Sequence, residues 1–425
     1  MNFKILGEKN FFLLMLGKLV SLIGSELQNF ALSLYVLKMT GSATKFASVL
    51  AVTMIPRLIL GPVAGVFVDR LDRKKIIYGL DMVSGILIGI YALMFYVSGE
   101  LTMTSIYILV IILSFISVLF QPAISTVIPT IMKKEELVDA NSINSFVMSI
   151  GGLVAPAMAG VLFGFYGIFV ILVINSISFI LSSISEMFID IPKINKESEK
   201  TGFNSFRYDF AEGIKYIKSD KLISTIICFS CIVNFAFPAI SSIGLVYMAK
   251  KVLMVSDAKY GLMDSLATVS TIIAPFFASR ILKKYNMGEI LFLDIFIVGI
   301  LTTFIGGIST KGFLGLFSSS FIPYILLIIT VFFIWLVITI GNTALSIIIQ
   351  KKVPLELLGR VNTVMGSLGG AAQPAGQILY GVIFDRIATW ICFIFTAFLY
   401  SGTSLAFRKN LCSSGDEDYK KAINN

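Results

Sequence analysis

Long apolar segments alternate with short charged segments along almost the whole chain. An α-helix rises 1.5 Å per residue, so about 20 apolar residues cross the roughly 30 Å hydrocarbon core of a bilayer. Twelve segments of about this length are predicted as membrane helices, and we call them spans 1 to 12. They lie at about 11–37, 45–68, 76–98, 102–131, 142–164, 167–189, 221–248, 258–282, 289–308, 320–349, 361–383 and 388–407.

The longest polar connection divides these spans six and six. It covers residues 190–220 and contains an amphipathic run at 206–217, which predicts a surface helix. We therefore expect an all-α membrane protein with two pseudo-symmetric six-helix halves. The predicted parts are an N-terminal half (1–189), a cytoplasmic linker (190–220), a C-terminal half (221–407) and a cytoplasmic tail (408–425).

Composition supports a membrane protein and leaves no room for a soluble catalytic domain. Hydrophobic residues make up 56% of the 425 residues and charged residues only 14%. With both termini inside, the cytoplasmic segments hold 25 Lys and Arg residues and the outer loops 7. This asymmetry predicts a multi-pass cell-membrane protein with cytoplasmic termini, and it explains the net charge of +9 without nucleic acid as a partner.

The two halves share a sequence repeat, which indicates an internal duplication. Ser149, Gly151, Gly152 and Pro156 open span 5, and residues 367–374 repeat the Ser-x-Gly-Gly-x-x-x-Pro spacing in span 11. Each copy follows a charged turn that is predicted to be cytoplasmic. Parallel repeats of this kind place the transport path between the halves.

A cluster of charges between spans 2 and 3 follows the pattern Gly-x-x-x-Asp-Arg-x-x-Arg-Lys. Its candidate functional residues are Gly65, Asp69, Arg70 and Arg73. Cytoplasmic positive charge alone would anchor the topology but would require neither the glycine nor the acid. The spacing therefore favours a specific loop between two closely packed helices.

Span 5 carries small residues at the spacing of close helix contacts. Gly151, Gly152 and Gly160 permit close approach, and Pro156 removes one backbone hydrogen bond and bends the helix. Ordinary small-residue packing is the alternative interpretation.

Ionisable residues inside the spans are functional candidates, because charge is costly in the hydrocarbon core. Along ideal helices, Glu26 lies roughly 22 Å and Arg57 roughly 18 Å from the cytoplasmic ends of spans 1 and 2. A structural ion pair and a role in proton coupling are both open interpretations. Asp81, Glu186 and Asp294 fall within about 10 Å of the cytoplasmic boundary and are expected to reach water or headgroups; Asp264 is expected to do so at the outer boundary.

Polar residues also form a stripe along span 1 that is expected to face a central cavity. Two further polar candidates lie in spans 4 and 7, although ordinary interhelical hydrogen bonds would explain them equally well. The predicted cavity residues are Lys18, Ser25, Asn29, Gln121 and Asn234.

Together, these motifs resemble the drug/proton antiporter branch of the major facilitator superfamily, which includes macrolide efflux and enterobactin exporter proteins. The resemblance also rests on segments 24–28, 40–43 and 138–142. It implies that residues 65–73 hold one half against the other, that the span 5 motif favours export, and that spans 1, 4, 7 and 10 line the path. Asp72 departs from the pattern, which usually has a glycine there.

The predicted function is export of hydrophobic or amphipathic small molecules, such as drug-like compounds, macrolides or siderophores, by proton antiport with alternating access. The expected partners are a small-molecule substrate, protons and the lipid bilayer, with a monomeric protein and neither a cofactor nor a metal. A lipid or lysophospholipid transporter is one alternative. A non-transporting membrane receptor or assembly partner is another.

Overall fold

A computed structural model describes residues 3–69, 72–133, 136–191 and 203–423, and it is almost entirely helical. No β-strand occurs among these residues. The segment Leu137–Met187 is interrupted at Gly167, with φ 69° and ψ −165°, so we treat it as two helices, α5 (137–166) and α6 (168–187). The other helices are α1 (Lys9–Thr40), α2 (Ala43–Asp69), α3 (Arg73–Ser98), α4 (Met103–Ile131), α7 (Phe203–Ser219), α8 (Lys221–Val252), α9 (Asp257–Lys284), α10 (Met287–Ile308), α11 (Lys311–Leu314), α12 (Phe321–Lys352), α13 (Leu355–Arg386) and α14 (Thr389–Ile423).

Each predicted span corresponds to one long helix. Spans 1 to 6 are α1 to α6, and spans 7 to 12 are α8, α9, α10, α12, α13 and α14. Ten segments of the described ranges are long and apolar enough to cross a membrane, and one of them contains both α5 and α6. Of the twelve helices that correspond to spans, the remaining one is α13, which contains six Gly and two Gln residues. The predicted all-helical membrane fold is confirmed.

Helix ends follow from local chemistry. Gly41 and Gly99 end α1 and α3 with φ of 64° and 77°, a conformation in which glycine carries no steric penalty. The carboxylate of Asp220 begins α8 by accepting hydrogen bonds from the amides of Leu222 and Ile223 at 2.8 and 2.9 Å.

The contacts of the chain define two units. The first unit comprises Met1–Gly41, Val52–Phe206 and Ser256–Ser265, and the second comprises Ser42–Ala51, Arg207–Val255 and Leu266–Asn425. The start of α2 is thus grouped with the second unit, and the start of α9 with the first. In the first unit, a buried apolar cluster joins the ends of α1, α3, α4 and α5 through Phe11, Ile77, Val127 and Ile143.

The predicted surface helix is α7, and it packs within the second unit. Glu212 forms an ion pair of 2.7 Å with Arg360 of α13. The hydroxyl of Tyr216 donates a hydrogen bond of 3.1 Å to the carbonyl of Lys352 at the end of α12. Polar contacts therefore attach this helix to the ends of two long helices.

Candidate functional site

An acidic pair lies where α1 faces the beginning of α9, inside the first unit. Glu26 and Asp264 lie within electrostatic range of each other, and both side chains are half-buried. One turn away, the rings of Phe30 and Tyr260 stack with their centroids 5.0 Å apart and their planes at 21°. Because 26 pairs with 264 and 30 with 260, the two helices run in opposite directions with this register.

The structure does not bring Arg57 to this acid. The Arg57 side chain is exposed on α2, and within the described ranges no hydrogen bond or ion pair joins it to Glu26. The charged neighbour of Glu26 on α9 is another acid, Asp264. Its distance along an ideal helix had predicted a position beside water at the outer boundary. The candidate coupling site is therefore built around two carboxyl groups.

Two carboxyl groups in a poorly hydrated setting repel each other when both are ionised. The repulsion between them is removed when one group takes up a proton, or when a cationic group comes close to both. The aromatic stack of Phe30 and Tyr260 offers an apolar and weakly cation-attracting surface beside them. The arrangement is therefore chemically suited to hold either a proton or an organic cation.

The polar stripe on α1 is engaged mainly in local hydrogen bonds. The Lys18 ammonium donates to Asn144 Oδ1 of α5 at 2.6 Å. The hydroxyl of Ser25 donates to the carbonyl of Ser21 at 2.8 Å, and the Asn29 side chain is exposed. Of these residues, Lys18 makes a polar connection to another helix.

The other two predicted cavity residues differ. Gln121 is exposed on α4. Asn234 of α8 donates a hydrogen bond of 2.9 Å to the Ser230 carbonyl. A Cβ added at Gly369 of α13 would lie 3.3 Å from the Asn234 amide nitrogen. Asn234 therefore packs directly on the second copy of the Gly-Gly motif.

A buried amide pair escaped the sequence analysis. Asn175 of α6 donates a hydrogen bond of 2.8 Å to the Gln28 side-chain oxygen of α1, and the exposed fractions are 1% and 3%. Gln28 follows Leu27 on the face that packs against α6, whereas its neighbour Asn29 points outward. An amide in each of two apolar spans was the available signal, since buried amides find partners across membrane helices.

The span 5 motif forms the contact surface of α5. A Cβ at Gly151 would lie 2.6 Å from a methyl carbon of Leu22 on α1. A Cβ at Gly160 would collide with the carbonyl oxygen of Asp257, and one at Gly261 with that of Pro156. The small residues thus let α5 approach both α1 and α9, the helices that carry the acidic pair.

Two glycines that follow the second copy of the motif do the same for α13. A Cβ at Gly376 would collide with the carbonyl oxygen of Phe235 on α8, and one at Gly381 would lie 2.6 Å from the Ala47 Cβ on α2. In sequence order, α8 and α2 are the counterparts of α1 and α9. In each half, therefore, glycines in or just after the motif bring its helix close to two others.

The profile of the Major Facilitator Superfamily matches residues 14–377. The chain belongs to the Major Facilitator Superfamily. Among curated relatives, it is 27% identical over 407 residues to macrolide efflux protein A of Streptococcus pyogenes, with 92% of each chain covered. It is also 24% identical to the putative bacilysin exporter BacE of Bacillus amyloliquefaciens, with 79% of each chain covered.

Solved structures of other transporters show the same fold. A bacterial homologue of the iron transporter ferroportin, in an inward-facing state, aligns with a TM-score of 0.72 at 13% identity, covering 95% of this chain and 98% of that one. The nucleoside transporter NupG aligns with a TM-score of 0.69 at 15% identity, with 95% and 98% coverage. At these identities the likeness concerns the fold alone.

The superfamily loop between α2 and α3 is only partly described. Gly65 and Asp69 fall in the last turns of α2, Arg73 begins α3, and Arg70 lies outside the described residues. Asp72, which replaces the usual glycine, accepts hydrogen bonds from the amides of Lys74 and Lys75 at 3.1 and 3.4 Å. The departure from the pattern therefore supplies an N-terminal cap for α3.

The prediction that three acids near the cytoplasmic boundary reach water or headgroups was wrong. Asp81 is 2% exposed, Glu186 3% and Asp294 7%, although all three were expected to reach water or headgroups. Distance along a helix gives depth but not the face on which a side chain lies, and these three face neighbouring helices.

Proposed function

We propose that this protein exports hydrophobic or amphipathic small molecules from the cell by proton antiport with alternating access. The observation that carries the proposal is the acidic pair of Glu26 and Asp264 beside the aromatic stack of Phe30 and Tyr260. The efflux and exporter names of its relatives support the direction of transport.

The coupling follows from the charge of the pair. A proton on Glu26 relieves its repulsion with Asp264, and a cationic substrate does the same. The proton and the cationic substrate therefore compete for the same site. Because one must leave before the other binds, the inward movement of protons is coupled to the outward movement of substrate. A basic amphiphile fits this chemistry, since its cation meets the carboxyl groups and its apolar part meets the rings.

The proposed orientation has both termini in the cytoplasm, because 25 Lys and Arg residues then lie inside and 7 outside. The helix pair α1 and α9 then reaches the outer side where α1 ends. The proposed functional unit is one chain, since each half already provides its counterpart within the same molecule.

The test is transport driven by a pH gradient in everted vesicles, with macrolides and other basic amphiphiles as probes. We expect Glu26→Gln to lower substrate-dependent proton flux to the level of vesicles without the protein. Glu100→Gln, at an exposed position after α3, is the matched control and should retain full flux. Full coupled export by Glu26→Gln would overturn the coupling role, and movement of lipid without any of these probes would favour a lipid transporter.

A further inference from the structure

A second pair of acids is buried between α3 and α6 of the first unit. Asp81 is 2% exposed and Glu186 3%. The two carboxyl groups lie within electrostatic range of each other. Asp81 Oδ2 and Glu186 Oε2 make no hydrogen bond. This pair is separate from Glu26 and Asp264 and is not used in the proposed transport site.

A buried hydroxyl group lies beside the two acids. Ser182 is 0% exposed and lies within hydrogen-bonding reach of both carboxyl groups, but its Oγ makes no hydrogen bond of ordinary geometry. Three polar side chains are therefore buried together with hydrogen-bonding capacity left over. Buried polar atoms without hydrogen bonds destabilise a protein unless a small ligand supplies the missing bonds.

The neighbouring helices close the site. A Cβ at Gly17 of α1 would lie 3.1 Å from Ser182 Oγ, so the backbone of α1 covers it. Ser183 donates a hydrogen bond of 2.7 Å to the carbonyl of Tyr78 on α3, and Ser185 donates one of 3.0 Å to that of Leu13 on α1. These bonds hold α6 against both helices on either side of the acids.

No cation of the described chain forms an ion pair with either acid. Lys18, on α1, is instead bound to Asn144. The elements packed against the site carry these further titratable or charged groups: Lys4 and Glu8 before α1; Lys9, Lys18, Glu26, Tyr35 and Lys38 on α1; Arg73, Lys74, Lys75, Tyr78, Tyr91 and Tyr96 on α3; Tyr107 on α4; and Asp139 and Tyr166 on α5.

The internal duplication shows that packing alone does not require Glu186. Phe179, Ser182, Ser185 and Phe188 of α6 recur at the same spacing as residues 398, 401, 404 and 407 of α14. Ser404 also donates a hydrogen bond of 2.7 Å to a carbonyl of α10, the counterpart of α3. At the position of Glu186, however, α14 has Leu405.

The partner acid, in contrast, occurs in both halves. Asp81 of α3 and Asp294 of α10 each follow a leucine and each is buried. Within the described residues, the first half thus adds a second acid to a helix pair that otherwise packs in the same way. The added acid creates a site that the second half does not have.

We propose that Asp81, Glu186 and Ser182 form a second proton-binding site, in which one proton is shared between the two carboxyl groups. Two adjacent buried charges of the same sign are too costly, so one group remains protonated and donates its O–H to the other carboxylate. The Ser182 hydroxyl donates to an oxygen that this bond leaves free. The proton comes from water and returns to water, with no other bond made or broken.

In the proposed orientation, the site lies about eight residues from the beginning of α3, roughly 12 Å from the cytoplasmic end. It is therefore placed to pass a proton to the cytoplasm after the acidic pair at Glu26. This transport role rests on the proposed proton antiport, whereas the binding of the proton does not.

The test is infrared spectroscopy of the purified full-length protein in lipid, titrated with pH in H₂O and D₂O. We expect the wild type to keep a protonated carboxyl band, shifted by deuterium, at neutral and mildly alkaline pH, where exposed acids are ionised. Asp81→Asn combined with Glu186→Gln should reduce this band by the contribution of one carboxyl group, and the band that remains is assigned to other buried acids such as Asp294. Glu100→Gln, which changes an exposed acid, should leave it unchanged.

Absence of the band from the wild type would overturn the proposal. This measurement uses the wild type alone, so it does not depend on the folding of any variant. A band of unchanged intensity in the double variant would also overturn it. Glu186→Leu copies the residue of the second half and provides a variant suited to the same packing. It should change the position of the band, because Asp81 then has no second carboxyl group with which to share a proton. The band is measured without substrate. If the Glu26 experiment shows no proton-coupled export, the infrared test of proton binding at Asp81 and Glu186 is therefore unaffected.

Discussion

The carboxylate of Asp385, at the end of α13, accepts a hydrogen bond of 2.6 Å from the hydroxyl of Ser42, which immediately precedes α2. The same carboxylate accepts bonds from the amides of Ala43 and Thr44 at 2.7 and 2.9 Å, and from the Thr44 hydroxyl at 2.7 Å. Helix starts leave their first amides without partners. One helix thus supplies the N-terminal cap of another across more than 300 residues of sequence, within the second unit.

We expect Asp385→Asn to lower the free energy of unfolding by about 1 kcal/mol or less, the usual value of a cap reduced by screening at an exposed site. Thermal unfolding in detergent measures this effect. Ser42→Ala and the double variant complete the cycle, and their effects should be less than additive because the two residues share one bond. Strict additivity would contradict the cap.

The cap also predicts a pH dependence. Burial by itself would raise the pKa of Asp385, but the hydrogen bonds from Ser42, Thr44 and the Ala43 amide lower it below its ordinary value of 3.8. The stabilisation is therefore fully present above about pH 5 and is lost as the pH falls through the lowered pKa. The stability difference between wild type and Asp385→Asn should be constant at neutral pH and disappear in acid; a difference that grew in acid would have the wrong sign.

Length and hydropathy were enough to predict the twelve spans, because a bilayer imposes both on every helix. The duplicated motif also indicated which glycines would lie at helix contacts. The partners of the ionisable residues could not be predicted, because helix rotation decides which faces meet. Glu26 and Arg57 share a predicted depth but make no contact, and Asp81 and Glu186 have a predicted position near the boundary but are buried.

The crossing of α5 and α9 predicts a contrast between two glycines on the same helix. A Cβ at Gly160 would collide with the Asp257 carbonyl, whereas one at Gly164 would lie 3.8 Å from the Asp257 side chain, an ordinary contact. Gly160→Ala should therefore lower the free energy of unfolding by about 1–3 kcal/mol through overpacking. Gly164→Ala should be neutral or slightly stabilising, because alanine favours the helix. Equal effects in thermal unfolding would contradict the close approach.

The buried amide pair of Gln28 and Asn175 predicts a measurable coupling between α1 and α6. Asn175→Leu should destabilise the protein, since it leaves the Gln28 amide without its 2.8 Å bond in a buried position. A double-mutant cycle with Gln28→Leu should give a coupling of about 0.6 kcal/mol, the average for interhelical bonds in membranes. Zero coupling would show that the bond contributes no stability.

The ion pair of Glu212 and Arg360 predicts a small and reversible effect on the attachment of α7. Both side chains are about one-third exposed, so the pair should contribute less than about 1 kcal/mol. Glu212→Arg places two cations together and should increase protease cleavage near α7. Combining it with Arg360→Glu should restore the wild-type pattern, and failure of this rescue would show that the two residues act independently.

The choice between Asp264 and Arg57 as the partner of Glu26 can be decided by matched neutral substitutions. Asp264 lies within electrostatic range of Glu26, whereas Arg57 is exposed on another helix. If the acidic pair binds the transported proton, Asp264→Asn removes the repulsion that links proton and substrate, and the pH dependence of export should flatten. Arg57→Gln should keep the wild-type pH profile, even if the rate changes. The comparison is export rate against pH in vesicles containing equal amounts of each variant, and a flattened profile for Arg57→Gln with an unchanged one for Asp264→Asn would restore the ion-pair hypothesis.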